Sequence, residues 1–132
     1  MKKVYDWREV SAMLMAIAKA APEGFCYSPR EEGACLYFQD GKPDCIIGHL
    51  LAKLGFDESI VPEKAGIFVI CSLGRAKDAG NTLAYTSAIA EMFTADAVIF
   101  MHEVQSAQDD GMPWIDAVSN AHHFMEKLNG DR

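Results

Sequence analysis

The sequence is short of positive charge: twelve Lys and Arg stand against nineteen Asp and Glu, a net charge of −7. That balance keeps a protein soluble and disfavours broad contact with phosphate backbones, so direct nucleic-acid binding is not expected. Long hydrophobic runs are missing too. Stretches such as Ile67–Cys71 and Ala97–Met101 fall far short of the roughly 20 apolar residues that span a bilayer, so no membrane helix is expected. Met1-Lys2-Lys3 is followed by Asp6-Trp7-Arg8-Glu9, which interrupts any apolar core of a secretory signal. The expected location is therefore the cytoplasm. Cysteine is sparse as well, and Cys26, Cys35, Cys45 and Cys71 lie in a chain rich enough in ordinary core residues to need no disulfide staples. A Gly-rich phosphate loop, an H-E-x-x-H helix, a G-x-S-x-G elbow and a supported carboxylate pair are all lacking, so an enzyme is not the first expectation.

Half of the 132 residues are hydrophobic, enough for one core, and residues 1–132 read as a single globular domain. The expected fold class is mainly α (α+β), with about five or six helices and one small antiparallel β-hairpin near residues 25–38. Asp6 and Glu9 make a D-x-x-E capping box, after which Trp7, Val10, Leu14, Ile17, Ala18 and Ala21 follow helical spacing. Phe25-Cys26-Tyr27 and Ala34-Cys35-Leu36-Tyr37-Phe38 flank Pro29 and Gly33 as the arms of the hairpin.

Gly41-Lys42-Pro43 reads as a turn. Asp44 then caps a short helix that turns Ile47, Leu50, Leu51 and Leu54 inward and closes on Gly55. Residues 67–72 are ambiguous between strand and helix, with Pro62 and Gly74 favouring helix. Asn81 or Thr82 is placed to cap a helix with Tyr85, Ala88, Ile89 and Met92 on its apolar face.

Thr94 starts the best-signed helix, with Phe93 and Val98 spaced as a hydrophobic staple and Ala97, Phe100, Met101, Val104 and Gln108 on its inner face. Gly111 ends it and Pro113 opens the last helix, where Trp114, Val118, Ala121, Met125 and Leu128 recur at helical intervals. The two should form an antiparallel hairpin. Asp109 and Asp110 sit at a helix C-terminus, where the dipole disfavours them. The favoured reason is that Asp109 accepts hydrogen bonds from the backbone of the next helix's first turn; the alternative is an acidic contact surface for a partner.

Asp44-Cys45-Ile46-Ile47-Gly48-His49-Leu50-Leu51, Phe93-Thr94-Ala95-Asp96-Ala97 and Val104 through Val118 together resemble small actinobacterial and actinophage proteins of unknown function. These share a Cys-x-x-Gly helix followed by a Gln-Asp-x-Gly-x-x-Trp helical hairpin. Asp44 stands where they usually carry Trp. The resemblance implies a fold and a phage-type origin but transfers no catalytic residue. Asp44-Cys45-Ile46-Ile47-Gly48 also resembles, in part, the Asp-Cys-Ser-Gly helix start of NlpC-type cysteine peptidases, with Ile46 in place of Ser. The later His that those enzymes use has no counterpart between His49 and His102.

Three functions follow from these residues. The first is a small accessory protein that binds a protein partner, its acidic surface complementing a basic one, with a homodimer as a further expectation. The second is a structural zinc protein using Cys26, Cys35, Cys45 and His49, although ligands nine and ten residues apart lack the spacing of a zinc knuckle. The third is a cysteine-dependent hydrolase, in which a helix N-terminus favours the Cys45 thiolate and His49 shares its proton. Each has a bland counterpart, with Cys45 a small buried residue, His49 a partly exposed polar one, and His102, His122 and His123 surface or half-buried packing.

Overall fold

The computed structural model describes residues 3–21, 38–39, 42–43, 45–56 and 91–130. Among these residues the protein is mainly helical, with α1 (Trp7–Ala20), α2 (Ile46–Lys53), α3 (Ala95–Asp109) and α4 (Trp114–Gly130). The expected helices around residues 62–73 and 81–93 lie outside the described residues, except that Glu91 and Met92 form a turn.

Of the hairpin expected near 25–38, only Phe38 is described. It pairs with Pro43, and Gln39 with Lys42, in a two-residue antiparallel ladder of β1 (Phe38–Gln39) and β2 (Lys42–Pro43). Lys42 and Pro43, read as turn residues, are therefore the second strand. Proline lacks the amide that a central strand must donate, and a two-stranded ladder, being all edge, tolerates it.

The capping box forms as the spacing requires: Glu9 N donates to Asp6 Oδ1 at 2.8 Å, and Asp6 N to Glu9 Oε1 at 3.3 Å. From there α1 buries Trp7, Val10, Leu14 and Ala18 on one face. Just before the helix, Tyr5 makes a parallel bridge with Phe93, its N–H donating to Met92 O at 2.7 Å and its carbonyl accepting from Thr94 N at 3.0 Å. This bridge ties the start of α1 to the start of α3.

Thr94 caps α3, its hydroxyl accepting from Ala97 N at 3.2 Å. Phe93 is buried, and Val98 packs partly buried against the same core. Both α2 and α3 end in the same motif. At α2, Gly55 (φ +98°) donates to Ala52 O and Phe56 N to Leu51 O; at α3, Gly111 (φ +94°) donates to Gln108 O and Met112 N to Ala107 O. Each is a Schellman closure, in which a left-handed residue turns the chain back to satisfy the last carbonyls, and glycine enters that region without Cβ strain.

The four helices enclose one core, with α4 against α3 and α1, and α2 against α1 and α3. Phe100, Leu14, Ile46, Ile47, Leu50, Leu51 and Met101 are its largest fully buried side chains. Each contributes about 1.5–3 kcal/mol by leaving water. Several inner-face expectations change: Ser11 and Ile46 join the buried residues, and Ile17, Ala21 and Leu54 are only partly buried. Ala117 and Gln105 are buried although the sequence pattern did not select them. Leu128 is 37% exposed although it follows the helical period of α4.

Candidate functional site

The start of α2, the end of α3 and the start of α4 meet at the residues that the sequence singled out. Cys45, not Asp44, is the N-cap of α2, and its Sγ accepts from Gly48 N at 3.5 Å. A carboxylate makes the stronger cap in water, but this position is fully buried, where an unpaired charge costs far more than a weak sulfur acceptor.

The next free amide of that helix end, Ile46 N, donates to the side chain of Gln108 on α3 at 2.9 Å. The same oxygen, Gln108 Oε1, accepts from the Trp114 indole at 3.1 Å, while Gln108 Nε2 donates to Asp109 Oδ1 at 3.0 Å. Two donors on one atom fix it as the carbonyl oxygen, so the amide has one orientation. A fully buried glutamine thus joins three helices.

Asp109 is therefore not the group that reaches the next helix. Its Oδ1 takes the Gln108 amide, and the bridge to α4 runs from Gln108 to Trp114. Burial raises the Asp109 carboxyl above its ordinary value of 3.8, and neighbouring Asp110 adds to the rise, whereas the hydrogen bond from Gln108 opposes it.

His49 lies one turn into α2, half-buried. Its Nδ1 is 2.9 Å from the carbonyl oxygen of Cys45, which also receives the His49 backbone N–H at 3.0 Å. A carbonyl only accepts, so Nδ1 carries a proton, and in the neutral form of the ring the lone pair is then on Nε2. The ring stands edge-on to Trp114, with centroids 5.3 Å apart and planes at 68°.

The structure thus brings Cys45 and His49 together, but joins them through the cysteine carbonyl, while the thiol serves as a helix cap with no solvent-exposed surface. Cys26 and Cys35 lie outside the described residues, so the four-ligand set of Cys26, Cys35, Cys45 and His49 is described only at its last two members. Among the described residues, no group of three or more His, Cys, Asp or Glu side chains is placed to hold a metal ion. No described helix is long and apolar enough to cross a membrane.

Gln108 was legible as a polar residue on an inner face, but its role was not, because Ile46 lies 62 positions away in sequence. Compared with known proteins, the chain is matched by no family model, no curated protein and no solved structure.

Proposed function

We propose that this protein is a small accessory protein, phage-type in origin, that acts by binding a protein partner in the cytoplasm. One observation carries the reading: α3 and α4 leave large apolar side chains at the surface, Ile99 41%, Phe124 43% and Leu128 37% exposed. Ile99 lies ten residues before the end of α3 at Asp109, and Phe124 ten residues after the start of α4 at Trp114, so the two stand at one height on the antiparallel hairpin. Phe124 and Leu128 are one turn apart on one face. Asp96 and Glu103 flank Ile99 along the same stripe of α3.

Exposed apolar side chains with acidic neighbours, on a chain of net charge −7, suit a partner that presents apolar side chains within a basic rim. The likeness to actinophage proteins makes a host protein the partner to test first. The experiment is affinity capture from host extract with the wild-type chain beside the Phe124→Asp variant, both checked for the same helical content. The reading expects a protein retained by the wild type and lost with the variant. Identical sets of captured proteins would overturn it.

A second reading keeps a specific support. The His49 tautomer that donates through Nδ1 leaves Nε2 as the ligand atom, the arrangement in which metal-bound histidines are held. A structural zinc on Cys26, Cys35, Cys45 and His49 predicts about one zinc per native chain and a melting temperature that falls with chelator. Metal-free native protein with an unchanged melt would remove it. A hydrolase centred on Cys45 is the weakest of the three, since a substrate reaches that sulfur only if the buried helix cap opens.

A further inference from the structure

A second polar cluster lies away from the Cys45 junction, in a groove of about 450 Å³ between α1 and α4. Ser11, 4% exposed on α1, places its Oγ 2.7 Å from His122 Nδ1. On the other side of the ring, His122 Nε2 stands 3.7 Å from Glu126 Oε1, one helical turn further along, with side chains 37% and 51% exposed. Trp7 braces the imidazole edge-on, with centroids 5.0 Å apart.

A row of Ser, His and Glu has the composition of a nucleophile relay, but its placement is wrong for one. Ser11 sits inside α1, where the surrounding backbone amides are spent on helix bonds and leave no donors for an oxyanion. The geometry fits a cation better. At 3.7 Å, the His122–Glu126 contact is too long for a hydrogen bond. It lies near the spacing of two ligands on one ion: donors about 2.0–2.1 Å from a tetrahedral zinc stand about 3.3 Å apart. A small rotation of the exposed Glu126 carboxylate closes the difference.

Metal-bound histidines are held at the other ring nitrogen by an acceptor that fixes the tautomer and the plane. The Ser11 hydroxyl, buried and mounted on a separate helix, can serve as such an acceptor when His122 carries its proton on Nδ1. We propose that His122 Nε2 and the Glu126 carboxylate are the two protein ligands of a divalent transition-metal site, with Ser11 as the positioning residue and water in the remaining places. His123 also lines the groove but lies about 100° further around α4 from His122, and is not a ligand in this arrangement. Arg8, also lining the groove, opposes a cation and makes the site one of moderate affinity, while the net charge of −7 favours cation approach.

The test is a Zn²⁺ titration of the full chain, followed through the imidazole resonances of each histidine. The proposal expects the His122 signals to shift and saturate at one zinc per chain. Glu126→Gln, on an exposed side chain, should weaken binding about tenfold or more, and His123→Gln should leave it unchanged. Ser11→Ala should weaken it about tenfold at the same stoichiometry, with recovery in Ser11→Thr. Zinc that leaves the His122 resonances in place, as uptake at cysteines would, overturns the proposal. So does wild-type affinity in Glu126→Gln.

Discussion

Gln108 and Trp114 fasten the turn between α3 and α4: the indole N–H donates 3.1 Å to Gln108 Oε1, the same oxygen that receives Ile46 N at 2.9 Å. One side-chain oxygen therefore satisfies an indole and an otherwise bare helix amide in the interior. Gln108→Leu keeps the volume but leaves both donors without that acceptor. At about 1–3 kcal/mol for each buried donor that loses its acceptor, the expected loss is about 2–6 kcal/mol. Urea unfolding measures it, and a loss below about 1 kcal/mol would mean that water or another acceptor replaces the amide.

Asp109 makes stability depend on pH in an unusual direction for a carboxylate. Its folded pKa lies above the ordinary 3.8, so the folded protein holds this proton more tightly than the unfolded chain does. Its contribution is complete below the unfolded value and is lost as pH rises through the folded one. Asp109→Asn keeps an oxygen for Gln108 Nε2 and removes the half-buried charge. The variant should melt higher than wild type at pH 7, and the gap should vanish near pH 3. A variant less stable at pH 7 would show that the carboxylate charge is used by the fold.

Gly111 is held at φ +94°, with nothing within 4 Å of where a Cβ would stand. Gly111→Ala therefore meets backbone strain but no clash, and should cost about 1–2 kcal/mol. Thermal denaturation would show it as a lowered melting temperature with the helical content unchanged. An unchanged melting temperature would mean that the turn relaxes out of the left-handed region.

The Cys45 thiol caps a helix end and is fully buried. Peptide mapping after timed alkylation should find Cys45 modified only as fast as the native state opens, and at the rate of a free thiol in denaturant. Fast modification of native Cys45 at neutral pH would favour the hydrolase reading instead.

The sequence revealed the elements whose causes are local. Asp6 with Glu9, Thr94 with Phe93 and Val98, and Gly55 and Gly111 after the last helical turns each act within five residues, and all appear where the spacing put them. The junctions were not legible, because their partners are distant in sequence. Ser11 and His122 are 111 positions apart and Ile46 and Gln108 are 62 apart, and neither pair leaves a pattern along the chain. Capping by Cys45 was missed for a related reason: Asp44 is the better cap by propensity, and only the dry surroundings of the junction reverse that order. Leu128 fits the helical period of α4 and is still 37% exposed, since periodicity says which side a residue lies on and not how closely a neighbour covers it.

The central claim is that Ile99, Phe124 and Leu128 form a contact surface for a protein partner. The most direct measurement is the dissociation constant of the captured partner for the wild type and for Phe124→Asp, taken alongside their melting temperatures. The account predicts affinity weakened at least about tenfold, a change of about 1.4 kcal/mol, with the melting temperature held. Equal affinity in the two proteins would contradict it.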